Sequence, residues 1–211
     1  MPVYEAGELD GPIAISAHAA WVVNRGQSSV TRIDLGRRTP TQVALSAKPT
    51  AIIAAFGRIW IALDDKSVTV LNDDGRLAGV AFAPLPGVAV GGAANGATDG
   101  VWFLTAVAGG AKLTRINPNI PLARDLKGRL QYAEPPGQPS LAGRPVDLTA
   151  GEHTLAVGVD DTLSLIGTNG AQDGQTEGTV KFDSAIGRLA VSGGVVWAGV
   201  PRSGRLYKIA F

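Results

Sequence analysis

A Trp-centred strand phrase recurs along this chain at near-constant spacing, and that recurrence limits the possible folds more than any other feature. Aligned on the aromatic position, the copies are Ala20-Trp21-Val22-Val23, Ile59-Trp60-Ile61-Ala62, Val101-Trp102-Phe103-Leu104, Thr154-Leu155-Ala156-Val157 and Val196-Trp197-Ala198-Gly199, with Leu replacing Trp in the fourth. Their intervals of about 39, 42, 53 and 42 residues lie in the range of propeller blades and solenoid arrays. A short strand precedes each copy, often opened by Pro: Pro12–Ile15, Pro49–Ile53, Val88–Val90, Pro145–Leu148 and Arg188–Val191. Another follows it: Ser29–Asp34, Ser67–Asn72, Lys112–Asn117, Thr162–Ile166 and Arg205–Ile209. Period-two alternation bounded by Gly, Asn and Asp marks antiparallel strands joined as hairpins.

A fourth segment closes most units: Thr41–Leu45, Ala78–Phe82, Arg129–Tyr132 and Gly178–Phe182. Four strands in about 40 residues make one propeller blade. The fifth unit stops at Phe211 after its third strand, while Val3–Leu9 forms a spare strand at the start. Pairing the two would close a ring and remove two unpaired edges. The expected fold is therefore an all-β, five-bladed β-propeller of four-stranded antiparallel blades. It forms a single domain over residues 1–211, with blades at roughly 11–46, 47–84, 87–143, 144–183 and 187–211 plus 3–9. Small residues in the first strands, as in AIIAAFG and AVGGAANG, suit a crowded inner position. The Trp side chains are expected to pack between neighbouring blades, since large aromatics are mostly buried. The competing role is an exposed stacking platform.

Composition narrows the function classes. Nineteen Lys and Arg against 18 Asp and Glu give a net charge of +1, too weak a field to argue for nucleic acid or an anionic membrane. No apolar run approaches the roughly 20 residues that span a bilayer, so membrane insertion by this segment is not expected. Cysteine is absent, which excludes disulfides and thiolate metal sites. The 28 Gly and 13 Pro beside one Met, five Phe and three Tyr fit many turns joining thin strands. The start, Met1-Pro2-Val3-Tyr4-Glu5, shows no signal-peptide pattern, so the chain is either cytosolic or cut from a longer precursor, the latter being preferred.

The phrase AWVVN...SSVTRIDL...KPTAIIAAFGRIWIAL resembles the repeats of virginiamycin B lyase-like and NHL-type β-propellers, and the likeness extends over nearly the whole chain. In lyases of that type a His base and acidic magnesium ligands act, usually on a seven-bladed ring. No motif carrying those roles is present here, so none is transferred. Propellers of this kind also serve as extracytoplasmic portions of bacterial membrane proteins and receptor kinases, and the Ala-Gly-Arg-rich style resembles high-GC actinobacterial proteins. The resemblance implies an extracytoplasmic location, with the cytoplasm as the alternative.

Chemistry needs groups that converge. His18 and His153 fall in equivalent hairpins three repeats apart, and each reads as a polar turn residue rather than a ligand. Asp64-Asp65 and Asp160-Asp161 fall in the same turn of the second and fourth units. Clustered oxygens could hold a hard cation, although Asp also favours turns through local backbone hydrogen bonds. On the inner strands only Asp147 is acidic, so the acid and base pair of a glycosidase is missing. GxSxG, HExxH and P-loop patterns are absent. The third unit carries a long segment, Asn117–Pro145, made basic by Arg124, Lys127, Arg129 and Arg144 and bearing Tyr132, a place for partner contact or a tolerated insertion.

The sequence thus reads as a non-enzymatic binding or sensor module that recognises a protein, small molecule or glycan without a cofactor and is a monomer in isolation. Its contact residues are expected on second-to-third-strand turns, at Arg25, Asp64, Asp65, Lys66, Asp160, Asp161 and Arg202, or on the long segment at Arg124, Lys127, Arg129 and Tyr132. The alternatives are a metal-dependent lyase or glycan-active enzyme and a lectin.

Overall fold

The structure, a computed structural model, describes residues 11–78, 84–95, 100–116, 141–168 and 174–211. These residues form eighteen strands in five antiparallel sheets of three or four strands, with no helix among them. Accordingly, no described helix is long and apolar enough to cross a membrane. The first sheet holds β1 (Ile13–Ile15), β2 (Ala19–Asn24), β3 (Ser29–Asp34) and β4 (Pro40–Ala44). The second holds β5 (Pro49–Ala55), β6 (Arg58–Leu63) and β7 (Val68–Asn72). The third holds β8 (Val88–Asn95), β9 (Gly100–Val107), β10 (Gly110–Ile116) and β11 (Leu141–Ala142). The fourth holds β12 (Pro145–Ala150), β13 (Thr154–Val159), β14 (Thr162–Gly167) and β15 (Thr176–Lys181), and the fifth β16 (Arg188–Ser192), β17 (Val195–Val200) and β18 (Arg205–Ala210). Within every sheet the strands meander, each pairing with its sequence neighbour.

The expected strand boundaries agree with these elements to within a few residues, with one reassignment. The fourth strand of the third sheet is Leu141–Ala142, which pairs with Ala111 and Gly110 at the start of β10. Ala111 is buried there, so this late segment has an edge to join. Residues 129–132, expected in that role, lie outside the described residues, as do 3–9 and 79–82. In the second sheet the described continuation is a single bridge between Leu71 and Leu77.

The first strands lie side by side in chain order: β1 beside β5, β5 beside β8, β8 beside β12, and β12 beside β16. Close approach of backbones requires small residues, and β8 supplies them. A Cβ on Gly92 would lie 2.5 Å from Ile53 Cδ1 of β5, and one on Gly91 would lie 3.1 Å from the Leu148 amide of β12. Adjacent glycines on a strand point to opposite faces, so this pair admits a neighbour on each side.

An apolar cluster fills the space between each consecutive pair of sheets. Trp21 packs with Ile52, Ile59, Ile61 and Leu71 between the first and second. Trp60 packs with Leu85, Ala89, Val101 and Phe103 between the second and third, and Trp102 with Leu148, Leu155 and Val157 between the third and fourth. All three indoles are 0% exposed, as expected for packing side chains.

The fourth copy of the phrase aligns differently from the sequence expectation. Trp21 pairs with Arg32, Trp102 with Arg115, and Trp197 with Lys208. The residue at that register position on β13 is Ala156, which pairs with Leu165 and packs between the fourth and fifth sheets, whereas Leu155 faces the third sheet. The volume that Trp supplies elsewhere is filled in that cluster by Phe182 and Tyr207, whose rings lie 4.9 Å apart. Trp197 itself is only half-buried.

Candidate functional site

Three of the first strands begin with a local irregularity of one kind. Pairing with the second strand skips a residue between Pro49 and Ala51, between Ala89 and Gly91, and between Pro145 and Asp147. The skipped residues are Thr50, Val90 and Val146. A β-bulge re-aims the side chain of the extra residue and bends the strand. All three line one cavity of about 450 Å³. Its remaining walls are Pro12 and Arg25 from the first sheet, Ala106 from β9, Arg144, Pro145 and Asp160 from the fourth sheet, and Ala185–Arg188 at the start of β16. The cavity therefore draws lining residues from all five sheets. Its volume lies within the ordinary range for small-ligand sites.

The apolar lining comes from Pro12, Val90, Ala106, Pro145, Val146, Ala185 and Ile186, and the charged lining from Arg25, Arg144, Arg188 and Asp160. Arg25 and Arg144 are exposed and make no ion pair with another described residue, whereas Arg188 lies 3.8 Å from Asp147. Asp147 lies on β12, the first strand of the fourth sheet. Its Oδ2 accepts the Leu189 amide at 2.9 Å and its Oδ1 the Leu148 amide at 3.0 Å, tying β12 to β16. Burial pushes its carboxyl above the ordinary value, against the opposing pull of those amides and Arg188.

The turn aspartates hold backbone. Asp64 donates its amide to Lys48 O at 2.8 Å, and its Oδ1 accepts the Lys48 amide at 3.1 Å. Asp160 repeats the arrangement with Arg144, at 2.9 and 3.1 Å. Each pair fixes the residue before the Pro that opens the first strand of the same sheet, β5 or β12. The same turns also accept from the linkers that follow: Leu85 N–H to Lys66 O, and Ile186 N–H to Asp160 O. Lys66 and Asp160 adopt positive φ, 70° and 48°. Asp65 Oδ1 accepts both the hydroxyl and the amide of Ser67, at 2.6 and 2.9 Å, and these bonds hold its carboxyl below the ordinary value. Asp161 Oδ1 accepts from Thr162 Oγ1 at 3.1 Å, and Oδ2 lies 3.8 Å from Lys181 Nζ.

No protein-family model matches the chain, and no curated protein matches it. The fold does have counterparts among solved structures. The computationally designed Ika8 protein superposes with a TM-score of 0.66 at 14% identity, over 94% of this chain and 57% of its own length. The computationally designed Ika4 protein gives 0.56 at 15% identity, over 78% of this chain and 92% of its own. These likenesses concern the fold alone, and the chain spans little more than half of the Ika8 protein.

Of the residues picked from sequence, the cavity brings together Arg25 and Asp160. Asp64, Asp65, Lys66 and Asp161 serve the turns just described, and Arg202 is exposed on the corresponding turn of the fifth sheet without lining the cavity. Arg124, Lys127, Arg129 and Tyr132 lie outside the described residues. His18 and His153 occupy matching hairpins, their carbonyls accepting the Leu35 and Thr168 amides. Among the described residues no three His, Asp or Glu side chains gather as a metal site would require. Sequence reasoning missed Arg188 as a lining residue, and counted Arg144 only towards the charge of the long segment. The available signal was positional, because Lys48-Pro49, Arg144-Pro145 and Gly187-Arg188 all mark the start of a first strand.

Proposed function

We propose that the five sheets are the blades of a five-bladed β-propeller, closed by pairing of residues 3–9 with β18, and that the chain is a non-enzymatic binding module whose ligand enters the cavity at the starts of the first strands. The observation that carries this reading is the convergence of all five sheets on one cavity, with three bulged residues turned into it. Ring closure draws support from what the four inter-sheet clusters leave uncovered. Ile13 and Ile15 of β1 are 63% and 70% exposed, and Trp197 is half-buried on the far face of the fifth sheet. The resemblance to NHL-type and virginiamycin B lyase-like repeats supports placing the module in the extracytoplasmic part of a larger bacterial surface or signalling protein.

A thermal-shift screen of organic acids, sugars, amino acids and nucleotides against wild type and Val90→Phe tests the binding reading. Ligands that bind the folded state raise its melting temperature. At least one class is expected to raise that of the wild type while leaving the variant, its cavity filled, unchanged. Equal shifts in both proteins would place binding elsewhere and refute this site.

A further inference from the structure

The cavity also carries a statement about ligand chemistry, which rests on the binding reading above. We infer that it takes a small organic acid, with the apolar body against Val90, Val146 and Ile186 and the oxyanion, carboxylate or phosphate, held by Arg25 and Arg144. Four charged side chains line the cavity, and three are cationic. The single carboxylate among them, Asp160, already accepts the Arg144 backbone amide. Arg188 is paired with the half-buried Asp147. Arg25 and Arg144 are left as guanidinium groups without an ion pair to another described residue. The whole chain carries a net charge of only +1, so the cationic lining is a local concentration rather than a general bias.

Guanidinium is suited to this role because its planar fork matches an oxyanion with two parallel N–H donors, and it stays charged throughout the accessible pH range. The rest of the lining argues against a purely polar anion. Proline, valine, alanine and isoleucine supply an apolar wall beside the arginines, and a purely polar anion would leave that wall unpartnered. A cavity of about 450 Å³ suits a molecule of modest size and has no extended stripe for a polyanion to track. A lining with apolar side chains on one part and guanidinium groups on another is the arrangement that fixes the orientation of an amphiphilic acid.

The test is an amide NMR titration of the full chain with phenyl phosphate, benzoate, inorganic phosphate and benzyl alcohol. It is repeated on the Arg25→Gln/Arg144→Gln double variant and on Val90→Phe, with Val146→Phe as the second cavity-filling variant should Val90→Phe lose its dispersed spectrum. Phenyl phosphate or benzoate is expected to shift the amides of Thr50, Val90, Val146 and Arg144, the tighter of the two identifying the preferred oxyanion. Inorganic phosphate and benzyl alcohol, each carrying half of the recognised chemistry, should bind about tenfold or more weakly, the equivalent of one good charge-assisted contact. The double arginine variant should lower the affinity for the acids to that for benzyl alcohol. Benzyl alcohol binding as well as the acids, or acid binding unchanged in the arginine variant, would overturn the ligand class while leaving the cavity as the site. Acid-induced shifts that persist in the cavity-filling variant would overturn the site and the ligand class together. Absence of binding by both acids would overturn the inference by itself.

Discussion

Trp60 and Trp197 sit at matching register positions on second strands, yet only the first is fully enclosed. The difference lies in what each faces, since Trp60 meets Phe103 and Ile116 of the following sheet, whereas the indole of Trp197 is covered along one side by Lys208, 5.8 Å from its ring. Trp60→Ala is therefore expected to cost about 3–5 kcal/mol, the range for deleting an enclosed aromatic. Trp197→Ala should cost distinctly less, both read from urea midpoints. Titration makes a second residue-scale distinction. Asp147 holds its proton more tightly folded than unfolded because burial dominates. Stability thus falls as pH rises from the ordinary carboxyl value, 3.8, through the raised one, and the loss persists above it. Asp65 and Asp34 behave oppositely: bonds from Ser67 to one and the Arg37 amide to the other depress their carboxyls, so their contribution is present above 3.8 and is lost as pH falls through the depressed value. Asp147→Asn should gain on wild type as pH rises from 3 to 6. A difference that stays constant over that range would show that the carboxyl does not titrate abnormally.

At the scale of elements, the strands were legible because alternation and turn residues are local properties, and β-strand order followed from hairpin connections alone. The bulges were not legible, since a skipped residue is defined by the partner strand and nothing in Pro49-Thr50-Ala51 or Val88-Ala89-Val90 announces it. Leu155 was misplaced for a related reason: in a strand such as β13 every position is buried and Leu155, Ala156 and Val157 are all apolar, so alignment by composition cannot tell which face a residue takes, whereas the pairing of Ala156 with Leu165 can. The site was half legible. Arg25 and Asp160 sit on turns, where loop residues invite functional reading, but Arg188 opens the first strand of the fifth sheet and emerges as a lining residue only where five strand starts converge. Two substitutions examine the elements directly. Gly92→Val forces bulk against Ile53, already 2.5 Å from a bare Cβ, and should cost about 1–3 kcal/mol by overpacking. Asp160→Ala removes the acceptor of the Arg144 amide and should cost about 1 kcal/mol, with amide shifts concentrated at Arg144 and Val146. Shifts confined to the 160–162 turn would mean that the carboxylate does not hold the start of β12.

Across the whole molecule, four interfaces join five sheets, and two faces are left over. On β1, Ala14 packs into the first interface while Ile13 and Ile15 point the other way. On β17, Val196 and Ala198 pack into the fourth interface, leaving Val195 and Trp197 on the opposite face. Both surplus faces are thus partly apolar, which is costly for ends of an open array exposed to water and is what a ring needs at its last seam. If residues 3–9 complete the fifth sheet at that seam, removing residues 2–9 should lower the urea midpoint and increase dye binding to exposed apolar surface, with the transition remaining cooperative. A double-mutant cycle separates closure from mere stabilisation by the added strand. In an open array Ile15 and Trp197 lie at opposite ends, so the costs of Ile15→Ala and Trp197→Ala should add. Across a closed seam they share neighbours, and an interaction energy of about 0.5 kcal/mol or more is expected. Strict additivity, together with an unchanged midpoint after the deletion, would leave the five sheets as an arc, and the cavity would then owe its shape to the first strands alone.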